Sequence, residues 1–317
     1  MNNVVRLSAT TLWLLGGVVA LLVLASVVGA VMARRPMSDA SRKTVENMNA
    51  RIRAWWGMVA IFALALAMGK LGSILLFGFI SFWAFREFVT LAPTHRGDHY
   101  TLFWSFFIII PLQYYLIYIE WYGLFSIMIP VYAFLFVPIR SALSGDCEQF
   151  LERASEIQWG LMVCVFCVSH APALLTLSIP GFEGEGANLL FFLMTVTQLS
   201  DVFQYVFGKL FGKRKIAPTV SPNKTWEGFV GGVLTATLLG TGLWWATPFN
   251  PWQTACIALT VTLFGFAGGL AMSAVKRDRG VKDFGHLIPG HGGVMDRIDS
   301  ICFSAPIYFH LIRFFFT

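Results

Sequence analysis

From Thr11 to Ala33 the chain carries no charged residue, and stretches of this kind recur almost to its end. Apolar runs close to the ~20 residues that cross a bilayer core can be read at 11–33, 54–69, 71–90, 101–119, 122–143, 157–178, 187–207, 228–246, 253–272 and 301–316. In lipid, backbone N–H and C=O groups have to be satisfied internally, which leaves only helices and closed barrels. Barrel strands would show shorter segments of alternating polarity. A chain of 317 residues that is 56% hydrophobic and 13% charged, with a mean hydropathy of +0.68, fits lipid as its solvent. The expected fold is therefore all-α: a polytopic integral membrane helix bundle of nine or ten transmembrane helices.

The placement of lysine and arginine gives the topology, because basic residues are retained on the cytoplasmic side. If the first span runs from outside to inside, the inner segments hold twenty of the twenty-three Lys and Arg, and the outer ones keep only Arg6, Lys70 and Arg313. A cleavable secretory signal is the competing reading of the first run, since Val28-Gly29-Ala30 resembles a cleavage site. The basic cluster from Arg34 to Arg53 that follows it favours a retained anchor. The net charge of +6 has no nucleic-acid motif beside it. It suits inner loops that face anionic headgroups and anionic substrates, with no nucleic-acid partner. Cys164 and Cys167 form a C-x-x-C inside an apolar run with no second pair at zinc spacing, and read as packing residues.

The chain divides by chemistry. Residues 1–156 supply N-terminal helices and inner loops. Residues 157–317 form a catalytic membrane region with two polar loops, 201–228 and 273–299, on the same side by the charge count. In the first part only Glu87 stands out; it reads as an ion-pair partner of its neighbour Arg86, with a functional carboxylate as the alternative.

The segment KDFGHLIPGHGGVMDRID, 282–299, gathers three aspartates into an otherwise greasy chain. Asp296 and Asp299, at i and i+3 before an apolar run, share one face of a first helical turn. Asp283 folds back across Pro289-Gly290. Three carboxylates without a companion cysteine are hard oxygen ligands, suited to Mg²⁺ with Mn²⁺ as the alternative, although one of them could serve as a helix cap. Gly290, Gly292 and Gly293 allow close backbone approach, and the helix start offers free N–H groups to an anion. Lys276, Arg277, Arg279 and Lys282 add positive charge, and His286 and His291 suit anion contact. His170 and His310, on apolar helices, read as packing residues.

The other loop, Asp201 to Gly228, repeats the theme with Lys209, Lys213, Arg214, Lys215 and Lys224 among helix-breaking glycines and prolines. Asp201 is a fourth candidate ligand, or else a cap or ion-pair partner. The loop has neither P-loop nor dinucleotide-fold order.

Together these residues resemble the membrane-embedded phosphatidate cytidylyltransferases, or CDP-diacylglycerol synthases. Ser273 to Asp299 meets S-x-x-K-R-x4-K-D followed by P-G-H-G-G-x-x-D-R-x-D at every fixed position. The upstream D-x-x-A-Y-x-x-G…S-P-x-K-T-x-E-G is matched by Asp201, Tyr205, Gly208, Ser221, Pro222, Lys224, Thr225, Glu227 and Gly228, with Gln204 where the family has alanine. The motifs cover about residues 200–300.

The resemblance implies the reaction CTP + phosphatidate → CDP-diacylglycerol + pyrophosphate at the inner (plasma) membrane of a bacterium, facing the cytoplasm and requiring Mg²⁺; a monovalent cation beside it stays open. It implies metal binding by Asp283, Asp296, Asp299 and Asp201. It implies phosphate binding by Lys224, Lys276, Arg277, Lys282, His291 and Arg297, backbone approach at Gly292 and Gly293, and hydrogen bonds from Ser221 and Thr225. Two other readings remain: a CTP-dependent lipid kinase, separable by its products, and a transporter, which would be expected to carry charges at the midplane. The oligomeric state, a homodimer included, is left open.

Overall fold

The computed structural model describes residues 7–34, 38–287 and 292–317. Ten helices make up the bundle among these residues: α1 (Ala9–Ala33), α2 (Asp39–Ala67), α3 (Gly69–Val89), α4 (Arg96–Tyr118), α5 (Tyr122–Ala142), α6 (Phe150–Thr176), α7 (Gly186–Phe211), α8 (Trp226–Gly242), α9 (Pro251–Asp278) and α10 (Met295–Phe316). Each corresponds to one predicted run. Nine are long and apolar enough to cross a membrane; α8, at 17 residues, is shorter. Among the described residues the one sheet is a hairpin, β1 (Lys215–Ala217) paired antiparallel with β2 (Ser221–Thr225), between α7 and α8.

Local chemistry sets the helix ends. Ser8 caps α1 by accepting from the Thr11 N–H at 3.1 Å, satisfying a donor the helix leaves unpaired. Asn250 and Gln253 cap α9 reciprocally, with Pro251 at the first helical position, where its missing N–H costs nothing. Within α5, Pro130 cannot donate to the preceding turn, and the helix widens to π geometry over Met128–Ala133.

The bundle buries one continuous apolar core that includes Phe77 and Phe85 of α3, Leu161 of α6, Leu193 of α7 and Ile301 of α10. Large apolar side chains such as Trp13, Leu24, Leu238 and Phe314 point outward, as expected where lipid replaces water. Helices α7 and α8 pack closely because Gly232 sits against Gln204, leaving no room for a Cβ. The Gln204 side chain donates to Ser200 Oγ at 2.8 Å. This departure from the family pattern is thus absorbed at a helix contact.

The polar ends sort as the charge count requires. At one end Ser8 donates to Glu185 and Thr11 to Asn188, both at 2.6 Å, and Lys70 pairs with Glu120. At the other, Arg153 pairs with Asp98 and Asp146, both at 2.9 Å, Arg279 pairs with Glu156, and Arg277 reaches the Val220 carbonyl at 3.3 Å. Segments predicted to be outer touch outer ones, and inner touch inner. The loops 201–228 and 273–299 meet at the second end.

Candidate active site

Helix α9 ends beside this meeting point, and Lys276 in its last turn turns inward, only 8% exposed. Its Nζ donates to Asp296 Oδ1 at 2.8 Å. Asp296 lies in the first turn of α10, and its Oδ2 accepts from the Phe284 N–H at 2.8 Å and the Gly293 N–H at 3.0 Å. A buried charge pair is tolerable only when its remaining lone pairs are satisfied; the loop backbone does that here. The Lys276 ammonium also lies 5.4 Å from the Phe284 ring centre, a cation–π contact.

One turn on, Asp299 Oδ1 accepts from the Ser300 N–H at 2.8 Å, while the Ser300 hydroxyl donates to Asp201 Oδ2 at 2.9 Å. Asp201 comes from the interior of α7, so this bond ties α7 to the first turns of α10. The Asp201 and Asp299 carboxylates lie close enough to repel each other, with Lys224 and Arg297 nearby. Lys224, from β2, sits half-buried with its Nζ 4.5 Å from the Phe266 ring centre. Burial lowers its pKa from the usual 10.5, and the Asp201 and Asp299 carboxylates oppose that shift. Arg297 Nε is buried without a hydrogen-bond acceptor, a donor left for an anion. Asp283 completes the group: a Cβ built on Gly292 would lie 3.4 Å from Asp283 Cβ and 2.8 Å from Asp296 Oδ2, so Gly292 separates the two acids.

The acids therefore form two neighbouring pairs, Asp283 with Asp296 and Asp201 with Asp299, rather than one closed shell. Among the described residues, the group of three ligand-bearing side chains whose donor atoms all approach within 4.8 Å is His95, Asp146 and Glu148, at the same end of the bundle. There Arg153 already supplies the positive charge. Asp146 holds its proton less tightly than an ordinary carboxyl because His95 hydrogen-bonds to it. The carboxylates of the two pairs are hard oxygen donors, and two that repel each other suit a divalent cation.

Several sequence-based assignments change. The start of α10 does not offer free amides to a substrate: the Gly293 N–H is taken by Asp296, and the Val294 and Met295 N–H groups donate to Glu87 Oε1 and Oε2 at 3.0 and 2.9 Å. Glu87 is accordingly not paired with Arg86, which lies over the Trp83 ring at 5.0 Å. Thr225 is a helix cap: buried, it accepts the Gly228 N–H at 3.2 Å. Arg277 spends Nε on Val220 O and Nη1 on Val281 O at 2.8 Å, lashing the hairpin to the loop after α9. Ser221 opens β2 half-buried, and Lys282 and His286 are exposed. His291 lies outside the described residues. Cys164 and Cys167 are free thiols inside the span, consistent with packing.

Residues 49–315 match the model of the cytidylyltransferase family. The chain is 40% identical over 300 residues to the uncharacterized protein YnbB of Escherichia coli K12, covering 93% of this chain and 96% of that one. It is 34% identical over 194 residues to a phosphatidate cytidylyltransferase of Staphylococcus aureus, covering 58% and 74% of the two chains. It is 44% identical over 173 residues to the phosphatidate cytidylyltransferase of Mycobacterium leprae, covering 53% of each.

Proposed function

The chain belongs to the cytidylyltransferase family, and from that premise we propose that it transfers the cytidylyl group of CTP to phosphatidate, releasing pyrophosphate, at the cytoplasmic face of a bacterial inner membrane. The observation that supports this reading is the convergence of Asp201 of α7, Lys224 of β2, Lys276 of α9 and Asp296 and Asp299 of α10.

The chemistry asks little of a general base. A phosphate monoester has a second pKa of about 6, so phosphatidate reaches the site already ionised near neutral pH. The obstacle is repulsion between two polyanions. Lys224, Lys282 and Arg297 are among the cations that form no ion pair with a carboxylate among the described residues, and Arg297 carries an unsatisfied buried donor. They neutralise and orient the phosphates, so that the lipid oxygen faces the α-phosphorus in line with the departing pyrophosphate. Lys276 acts one step back, holding the Asp296 carboxylate in place through their hydrogen bond. The residues suited to hold Mg²⁺ are Asp201 and Asp299, with Asp283 and Asp296 beside them. The ion would supply charge neutralisation at the phosphoryl oxygens. Acyl chains reach the site sideways from the inner leaflet, where Lys276 and Asp296 occupy the facing ends of α9 and α10.

Product analysis tests the reading. Purified protein given phosphatidate, a long-chain lipid alcohol and CTP labelled at the α-phosphate is expected to place the label in a CDP-lipid and to release pyrophosphate. Labelled CDP together with an unlabelled lipid phosphate from a lipid alcohol would overturn it in favour of a kinase.

A further inference from the structure

Glu87 belongs to none of the matched motifs, yet it is the residue on which the acid-bearing loop closes. Its carboxylate, 5% exposed at the end of α3, receives two backbone donors from the start of α10, Val294 N–H on one oxygen and Met295 N–H on the other. The same carboxylate presses on both limbs of the loop. A Cβ on Gly285 would come within 2.6 Å of Glu87 Oε1, and one on Gly293 would collide with Oε2. One side chain from the N-terminal part of the chain therefore pins the loop where it leaves and where it returns. Asp283 lies two residues before the first pinned point and Asp296 three after the second. A carboxylate is the fitting group here, because a helix N-terminus carries partial positive charge and unpaired N–H groups.

We propose that Glu87 is a positioning residue for cytidylyl transfer. Its carboxylate fixes the separation of Asp283 and Asp296 by clamping the glycine limbs of their loop to α3. The glycines at 285 and 293 are the cost of admitting that clamp. The proposal rests on the functional reading above for its link to turnover, but the clamp itself is a property of the fold.

The test therefore has two arms on full-length protein in detergent or nanodiscs. Glu87→Gln keeps size but loses the charge and turns an NH2 toward one of the two donors. In hydrogen–deuterium exchange it is expected to speed exchange across 284–296 at least tenfold while α1 and α4 keep their parental rates. In the activity arm its kcat is expected to fall at least tenfold, with KM for CTP within about twofold of the parent and the half-saturating Mg²⁺ concentration raised. Glu87→Asp, which keeps the charge, is expected to recover part of kcat. Parental exchange across 284–296, exchange accelerated throughout the chain, or a loosened loop with unchanged kcat would each overturn the proposal. A parent that makes no CDP-lipid would sink the functional reading alone, since the exchange arm would still decide whether Glu87 clamps the loop.

Discussion

Lys276 and Asp296, twenty residues apart, bond at 2.8 Å between the last turn of one helix and the first turn of the next, with both side chains nearly inaccessible to solvent. Breaking such a pair from one side leaves an uncompensated buried charge, which costs about 3–5 kcal/mol. Lys276→Met is therefore expected to lower the midpoint of thermal unfolding in detergent markedly. Lys276→Met combined with Asp296→Asn is expected to lose less than the sum of the single variants. Simple additivity in that cycle would show that the two groups do not depend on each other.

Asp201 and Asp299 stand in the opposite relation, two carboxylates that repel each other. Removing one charge relieves repulsion while deleting a proposed metal ligand. Asp201→Asn is expected to unfold at the parental temperature or above it, with turnover reduced at least a hundredfold, a trade of stability for function. Paired thermal melts and rates check this; a variant that is destabilised yet active would reverse the assignment.

Lys224 gives the pH dependence. Burial lowers its folded pKa below the usual 10.5, so at neutral pH the buried charged form carries an energetic penalty. That penalty is relieved as pH rises from the folded pKa toward 10.5, and stability should rise across that window. Activity should move the other way, because the proposed phosphate contact needs the ammonium. Lys224→Arg, which stays charged, is expected to shift the alkaline limb of the rate profile to higher pH. Superimposable limbs in parent and variant would exclude Lys224 as the titrating group.

Thr225 matches a family motif but caps α8 through its hydroxyl oxygen. Thr225→Ala should therefore cost about 1 kcal/mol of stability and leave KM for CTP within about twofold, whereas Thr225→Ser should retain both. A large rise in KM with an unchanged melt would restore it to the substrate.

These residues also show what could be read in advance. The helices and their sidedness were legible because lipid imposes a long apolar period and basic residues mark one side. That Asp201, Asp296 and Asp299 come together was legible because carboxylates are costly in such a chain. The role of Glu87 was not, because its partners lie more than two hundred residues away. One clue was present: adjacent residues on a helix do not face each other, so Arg86 was poorly placed to satisfy it. The occupied amides at the start of α10 were hidden for the same reason, since local sequence reports that a helix begins but not which distant carboxylate has already reached it. Thr225 misled in another way, its motif position suggesting a ligand contact while its place before Trp226-Glu227-Gly228 fits a cap.

Divalent-cation binding by the acids at this end of the bundle is the proposal on which the phosphoryl chemistry depends. A Mg²⁺ titration of EDTA-treated protein, assayed for CDP-lipid from CTP and phosphatidate beside Asp299→Asn, tests it most directly. No turnover is expected before Mg²⁺ is added, with saturable recovery in the parent and turnover at least a hundredfold lower in the variant at every concentration despite a parental melt. Turnover in excess EDTA, or a variant that tracks the parent, would contradict it.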